Sequence, residues 1–378
     1  MQEDTQYRRD KNSVTKRGRT KTPYLGRLNR VRKLLATHNQ EGLLVTGLPN
    51  VRYLSGFEGS NGVLLIVMDD AVLYTDGRYA IQAHQQVCGV GVTVVNGRFL
   101  VGVVEDLKKR KIRNLAFEQN RLTFAEYQYF RQYFRRCRLK PLHQPVESQR
   151  VVKNPDEINR IRQSVDLNSR VFDNVCQRAK PEWSELLMAA EIEYEMRFLG
   201  ATGIAFDTII ASGIRSALPH ATPGQGLLSR NSPIVVDQGA ILDGYVSDMT
   251  RMVCFGDPGN RFRELHRAVG EAQMAAKDAV KAGVKASTVD KRARKVLAKF
   301  GLDKAFMHST GHGVGLEIHE PPRLGSAEDT RLSSGMVITI EPGVYVDGIG
   351  GVRVEDVVVV TPTGCEVLTK TPREIRVL

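Results

Sequence analysis

The chain has 378 residues, of which 42% are hydrophobic and 25% charged, with a net charge of +12. This length exceeds one ordinary hydrophobic core, so we expect two folded domains. The longest apolar run, Val63 to Met68, is far below the ~20 residues that span a bilayer, so we expect neither a membrane span nor a secretory leader. Five scattered cysteines without a CxxC pair favour reduced thiols and a cytoplasmic location.

Lysine and arginine are concentrated before the first apolar periodicity. Residues 1–22 are basic and poor in aliphatic side chains, which predicts a disordered tail. Such a tail could bind nucleic acid, but no interleaved aromatic residues accompany the charge, so we favour a solvated tail and expect no nucleic-acid partner. A second basic run over 108–113 is interpreted as a solvated loop.

The residues after the tail alternate between helical and strand patterns. Apolar residues at helical spacing predict a helix over 25–39, and short apolar runs predict strands at 42–47, 62–68, 71–77, 91–95 and 114–119. Asp69-Asp70 predicts a hairpin turn, and helices are expected over 78–86 and 99–109. This alternation indicates an α/β domain with a mixed sheet over 23–145. Three prolines over 141–157 indicate a linker, and a second domain is expected over 146–378.

The second half repeats one arrangement of helices and strands. Helices are predicted over 156–179 and 184–199, followed by strands near 206–213, 233–240 and 244–256. A second helix pair, 260–282 and 288–300, precedes the final strands. Two strand blocks that each follow a helix pair suggest an internal two-fold arrangement, with acidic residues supplied by both halves.

Four carboxylates and one imidazole in this half form the candidate site: Asp237, Asp248, His312, Glu341 and Glu355. The acids fall within apolar runs that are typical of strands, where an unpaired charge would be costly to bury. Each acid taken singly could be a surface or ion-paired residue. Together they favour a shared divalent cation, and oxygen donors with one imidazole suit Mn²⁺, with Co²⁺, Zn²⁺ or Fe²⁺ as alternatives.

A glycine-rich stretch over 308–319 contains His308, His312 and His319, three of the eight histidines of the chain. Its glycines would let the backbone approach a ligand closely. This local enrichment favours a functional role for the cluster over three unrelated polar residues.

Long motifs resemble the pita-bread metallopeptidases of family M24, in the group that contains aminopeptidase P and prolidase. VRYLSGF and LYTDGRY resemble its creatinase-like N-terminal domain, and RVVKNPDEINRIRQ resembles the helix that opens its catalytic domain. The catalytic-domain motifs are SALPH, VDQGA, GYVSDMTR, HSTGHGVGLEIHE, GMVITIEPGVY and GGVRVEDVVVV. The resemblance covers nearly the whole chain after Tyr24 and implies an α/β fold with these two domains.

The resemblance also implies a ligand set for two divalent ions. Asp237 would bind one ion with both oxygens, Asp248 and Glu355 would bridge both, and His312 and Glu341 would complete the second. All five positions carry a ligating residue.

Further residues match positions that handle the substrate in that group. His220, His308 and His319 would contact the substrate or the tetrahedral intermediate. Arg353 and Thr250 would orient the bridging carboxylates.

The implied reaction is metal-assisted hydrolysis of an Xaa-Pro bond. Two ions about 3.5–4 Å apart would activate a water, and Glu341 would act as acid and base. We expect an Xaa-Pro aminopeptidase acting on proline-containing peptides, with an Xaa-Pro dipeptidase (prolidase) as the alternative. The group also suggests a homodimer.

Three rival interpretations are less favoured. Methionine aminopeptidases share the ligand pattern but lack an N-terminal domain of this kind. Creatinase-type hydrolases have both domains but work without metal, which five intact ligand positions disfavour. A non-catalytic protein that binds nucleic acid through the basic tail would not need those ligands.

Overall fold

The computed structural model describes residues 22–97 and 99–378, so the predicted basic tail lies outside the described residues except for Thr22. The chain divides into two compact units between Gln149 and Arg150. The predicted domain boundary, at 145/146, falls shortly before this division.

The first unit contains a six-stranded sheet in the order β4-β3-β2-β1-β5-β6. The strands are β1 Gly42–Val45, β2 Val63–Val67, β3 Ala71–Thr75, β4 Gly91–Val94, β5 Asn114–Glu118 and β6 Arg138–Leu142. The helices are α1 Thr22–Thr37, α2 Leu48–Ser55, α3 Ala80–Gln86, α4 Phe99–Lys109 and α5 Phe124–Tyr133, with a 3-10 turn at Gly77–Tyr79. Because β1, β2 and β3 pair antiparallel while β3/β4, β1/β5 and β5/β6 pair parallel, the predicted mixed sheet is confirmed.

Two parts of the first unit differ from the sequence expectations. Helix α5 and strand β6 were not predicted, and the predicted linker over 141–157 is largely ordered. It contains the end of β6, a short helix α6 Glu147–Arg150, and the start of the next helix. Pro141 occupies an exposed strand position and Pro155 a helix start, where no backbone N–H donor is required. Pro145 lies in the turn before α6.

The second unit combines two helix pairs with four sheets. Its helices are α7 Pro155–Arg178, α8 Glu185–Phe198, α9 Asn260–Asp278 and α10 Ala286–Lys299, with 3-10 turns at Gly213–Ala217 and Asp303–Ala305. Its first strands are β7 Gly203–Ile204, β8 Ile209–Ser212, β9 Ile234–Gln238, β10 Ala240–Leu242, β11 Tyr245–Val246 and β12 Met249–Cys254. The remaining strands are β13 His312–Gly313, β14 Glu320–Arg323, β15 Val337–Ile340, β16 Gly343–Val346, β17 Gly350–Arg353, β18 Asp356–Val360, β19 Cys365–Val367 and β20 Arg376–Val377.

Two of these sheets each pack against a helix pair, in agreement with the expected internal two-fold arrangement. The sheet β20-β12-β9-β8 packs with α7 and α8 through residues such as Phe172, Ile192 and Val236. The sheet β14-β13-β15-β18-β19 packs with α9 and α10 through residues such as Val269 and Ile338. Helix α7 begins at a capping box formed by Asn154 and Glu157 around Pro155, which fixes its first turn.

Candidate metal centre

The five candidate ligands come from both sheets and gather where strands begin or end. Asp237 lies within β9, whereas Asp248 directly precedes β12 and Glu355 directly precedes β18. Glu341 directly follows β15, and His312 opens β13. The expectation that four acids lie within strands is therefore wrong for three of them. At strand ends the ladder no longer fixes the side-chain direction, so acids from different strands can converge.

His312 is in contact with two of the acids. Its Nε2 lies 3.3 Å from Glu341 Oε1 and 3.6 Å from Asp248 Oδ2. Its Nδ1 lies 3.0 Å from the carbonyl oxygen of Gly313, which assigns the proton to Nδ1 and leaves the Nε2 lone pair facing the acids. Ligand atoms of Asp248, His312 and Glu355 all lie within 4.8 Å of one another. This group could hold a metal ion.

Arg353 and Thr250 organise the two remaining carboxylates. Thr250 pairs with Asp237 across β9 and β12, and its hydroxyl donates to Glu355 Oε2 at 2.7 Å. Arg353 donates to Asp237 Oδ2 and, at 3.0 Å, to Thr250 Oγ1. Each carboxylate thus has one oxygen fixed by a buried donor.

The other oxygens of these two carboxylates show that the residues fit a cation. Among the described residues, Asp237 Oδ1 and Glu355 Oε1 are buried and have no hydrogen-bond partner, an arrangement that is costly for a carboxylate. Burial and the neighbouring acids raise the pKa of Asp248 and of Glu355 well above their ordinary values, and burial raises the pKa of Glu341. The four carboxylates carry more negative charge than the single guanidinium of Arg353 can balance, so the site requires further positive charge. Oxygen donors with one neutral imidazole are a ligand set that suits divalent ions.

The predicted substrate-handling histidines lie beside this cluster. The rings of His312 and His319 are 4.4 Å apart in an edge-to-face arrangement. His308 Nε2 lies 2.9 Å from the hydroxyl of Tyr345. Burial lowers the pKa of both His308 and His319, and the exposed His220 interacts electrostatically with both rings. His319 thus packs on the candidate ligand His312, His308 contacts Tyr345, and His220 is close enough to both for an electrostatic interaction.

Comparisons with known proteins agree with this geometry. Residues 159–362 match the model of "Metallopeptidase family M24", and residues 27–152 match "Creatinase/Prolidase N-terminal domain". The chain belongs to metallopeptidase family M24. The expected resemblance and fold class, an α/β protein with a creatinase-like N-terminal domain and a pita-bread catalytic domain, are therefore confirmed.

Several M24 relatives are similar over almost their entire length. The Xaa-Pro dipeptidase of Pyrococcus furiosus is 35% identical over 92% of this chain and 99% of its own. An Xaa-Pro dipeptidase from Bacillus anthracis superimposes with a TM-score of 0.91 at 36% identity, over 94% of this chain and 100% of its own. An X-Pro aminopeptidase from Thermotoga maritima gives 0.87 at 36% identity, over 92% and 100%.

Sequence reasoning missed three residues that support the M24 site. Tyr345 receives a hydrogen bond of 2.7 Å from Arg353, and the Thr339 hydroxyl donates to Glu341 Oε1 at 3.1 Å. The buried guanidinium of Arg251 donates to the backbone carbonyl of Glu355 and to Asp356. Each of the three lies within a few residues of a predicted ligand, so a search of the flanking polar residues could have found them.

The glycines of the histidine-rich stretch have a different role from the expected one. A Cβ at Gly311 would lie 2.0 Å from the carbonyl oxygen of Thr339, and one at Gly313 would lie 2.4 Å from that of Pro321. A Cβ at Gly315 would lie 2.6 Å from both carboxylate oxygens of Glu320. These glycines admit neighbouring protein atoms rather than a ligand, and so fix the M24 loop that carries His312 and His319.

No helix within 22–97 or 99–378 has the length and apolarity required for a transmembrane segment.

Proposed function

We propose that the protein is a dinuclear-metal Xaa-Pro dipeptidase, with an Xaa-Pro aminopeptidase as the second candidate. One observation carries the hydrolase assignment: Asp248, Glu341 and Glu355 lie around His312. In addition, the buried Asp237 Oδ1 and Glu355 Oε1 have no partner among the described residues. M24 membership supports it independently.

In this proposal the five predicted ligands hold two divalent cations. Asp237 and Glu355 would each contribute the oxygen that is left without a donor, and His312 would contribute Nε2. Asp248 and Glu341, which both approach His312 Nε2, would contribute carboxylate oxygens. We propose Mn²⁺, because this ligand set is mostly oxygen.

When bound, divalent ions supply Lewis acidity and lower the pKa of a bound water towards neutrality. The Glu341 carboxylate would take the proton of the attacking water and return it to the proline nitrogen. His319 and His220 would donate hydrogen bonds to the oxygen of the scissile carbonyl, where negative charge develops. His308, held by Tyr345 and by the carbonyl of Ser309, would line the proline pocket.

Two arguments favour a dipeptide as the substrate: the names of similar proteins, and the position of one arginine. Relatives named Xaa-Pro dipeptidase match at up to 36% identity, although the similar X-Pro aminopeptidase keeps the other candidate open. Arg323 lies opposite His312 across β13 and β14, next to a shift in register between His312 and Gly313, so its backbone is beside a candidate metal ligand. Arg323 is exposed and has no ion pair within the described ranges. It could bind the free carboxylate of proline, which a longer peptide lacks at that position.

The test compares Ala-Pro with Ala-Pro-Ala after loading with Mn²⁺. We expect kcat/KM to be higher for the dipeptide by about tenfold or more, the scale of one charge-assisted contact. Arg323→Gln should raise KM for Ala-Pro and leave the tripeptide unchanged, whereas Arg331→Gln serves as a matched control on an exposed site. A higher kcat/KM for the tripeptide would establish the aminopeptidase instead.

Assembly and compartment belong to the same proposal. A homodimer is supported by an exposed, stacked pair on α8, in which the Tyr194 and Phe198 side chains are 63% and 71% exposed. Light scattering of the purified protein would test it. All five cysteines are unpaired, which supports a reducing compartment such as the cytoplasm.

A further inference from the structure

A basic cavity of about 860 Å³ lies in the first unit, and M24 chemistry does not account for it. Five cations line it: Lys108, Lys111, Arg113, Arg135 and Arg136. Leu107 and Phe134 are buried beneath them, and Tyr133, whose ring packs on Tyr129 with centroids 4.6 Å apart, is 41% exposed. The cavity therefore combines a cationic rim with an apolar and aromatic wall.

The fold creates this cavity by placing two helix-to-strand connections side by side. Helices α4 and α5 lead into the parallel neighbours β5 and β6, which are aligned with Asn114 opposite Arg138. The amide of Arg138 donates to the carbonyl of Arg113. The basic run that the sequence suggested was a solvated loop is thus joined by a second set of cations from the α5–β6 connection.

The five cations lack acidic partners. All are exposed, and none forms an ion pair with any residue in 22–97 or 99–378. Arg110, in the same run, differs because it pairs with Asp70 and Asp106. The nearby carboxylate of Glu41 accepts from the backbone amides of Arg113 and Asn114. Unpaired like charges around a concavity create a positive potential that a bound anion would relieve.

We propose that this cavity binds single-stranded nucleic acid, with phosphates on the cationic rim and one base against Tyr133. A flexible strand supplies several phosphates together with a flat apolar ring, and both features of the cavity are then used. Bases stacked inside a duplex cannot enter such a cavity. The tail over 1–21 carries excess positive charge and is therefore not the occupant.

The test measures fluorescence anisotropy of a labelled single-stranded RNA of about 12 nucleotides, within the usual site size. The full chain is compared with a variant carrying Lys111→Gln, Arg113→Gln, Arg135→Gln and Arg136→Gln. A matched control loses four exposed cations of α10 through Lys291→Gln, Arg292→Gln, Lys295→Gln and Lys299→Gln.

We expect the cavity variant to bind at least about tenfold more weakly, and its salt dependence to fall by about 3 in log–log slope, because each lost phosphate contact removes about 0.7. The α10 control should stay within about twofold of the full chain, because its cations lie elsewhere. Tyr133→Leu should weaken binding about fivefold with the salt slope unchanged, because stacking is not ionic.

Three results would overturn the proposal. The first is equal RNA affinity of the full chain and the cavity variant. The second is loss of RNA binding on deletion of residues 1–21 alone. The third is tighter binding of phosphatidylserine vesicles or polyglutamate than of RNA through the same four cations. Hydrolysis of Ala-Pro is followed in every variant. The cavity residues take no part in the proposed peptidase chemistry. The rate of Ala-Pro hydrolysis therefore tests the proposed function separately from RNA binding.

Discussion

The carboxylates of the proposed metal centre are positioned to bind a cation. Without a cation, their burial and mutual repulsion reduce the stability of the folded protein. Asp248 and Glu355 are 5% and 1% exposed, and burial with mutual repulsion raises the pKa of both. Removing a charge from such a cluster relieves repulsion and desolvation. Function and stability therefore make opposite demands on the same residues, as is common at active sites.

We predict that Asp248→Asn separates these two demands. The variant keeps the shape of the side chain but loses the ligand charge, so Mn²⁺ affinity should fall by more than about 100-fold, beyond what loss of a supporting residue costs. Hydrolysis of Ala-Pro should disappear. The metal-free variant should be more stable than the metal-free wild type by about 1 kcal/mol. Calorimetric metal titration and urea unfolding measure the two effects.

Asp243→Asn is the matched control for this variant. Asp243 is exposed in the turn just before β11 and has a positive φ of 51°, a conformation that asparagine tolerates. We expect wild-type metal affinity and activity. Full turnover by Asp248→Asn would contradict the ligand assignment.

At the scale of elements, a buried ion network fixes the loop that carries His312 and His319. The Glu320 carboxylate accepts from Arg150 and, at 3.1 Å, from Lys153. It also accepts from the backbone amides of Leu316 and Glu317. Because Gly315 has no Cβ, the loop can close tightly around this carboxylate. Glu320 therefore fixes the backbone next to His319 through contacts with protein atoms.

We predict that Glu320 makes the protein sensitive to acid. Burial alone would raise the pKa of Glu320, but Lys153 and Arg150 outweigh it and lower the pKa from 4.5 to about 2. The unfolded state therefore takes up the proton first. The stabilisation is complete above pH 4.5 and is lost as the pH falls towards 2, by about 3 kcal/mol in order of magnitude.

Glu320→Gln should destabilise the protein by about 3–5 kcal/mol at pH 7, because the buried Lys153 loses its carboxylate partner and Arg150 keeps only its ion pair with the partly exposed Glu317. It should also flatten the fall in the urea midpoint between pH 5 and pH 3 relative to wild type. Glu366→Gln is the control: its pair with Arg162 is half exposed, and such pairs contribute about 0–1 kcal/mol. Equal acid sensitivity of wild type and Glu320→Gln would refute this role.

Elements with strong apolar patterning could be predicted from the sequence, and weakly buried ones could not. Strands β2 and β3 are almost entirely buried. Their apolar runs and the Asp69-Asp70 turn were therefore sufficient to predict both strands. Helix α5 has one buried residue, Phe130, and β6 is exposed at most positions, so neither has a periodic apolar face. The acids were identifiable because charge inside apolar runs is rare, but convergence at strand ends depends on tertiary packing. The supporting contacts of Tyr345 and Arg251 depend on it as well.

At the scale of the whole molecule, the clusters of basic residues belong to other parts of the chain than the proposed metal centre. The metal centre draws all its residues from the second unit, whereas the basic cavity belongs to the first. The basic tail forms a third region, for which the sequence alone supplies an expectation. Seven of the lysines and arginines lie within residues 1–21, with three acids among them.

We predict that deletion of residues 1–21 leaves peptidase function unchanged. Every proposed ligand and substrate-handling residue lies after position 219, so the sequence assigns no part of the proposed peptidase site to this segment. The kcat and KM for Ala-Pro and the thermal midpoint should therefore match those of the full chain, to within about twofold and about 2 °C. The matched comparison is a full-length chain whose seven tail cations are replaced by glutamine, which keeps the length and removes the charge. A large loss of kcat in the deletion but not in the neutralised chain would mean that the tail backbone supports the active site or a subunit contact. A loss in both would assign that role to its charge.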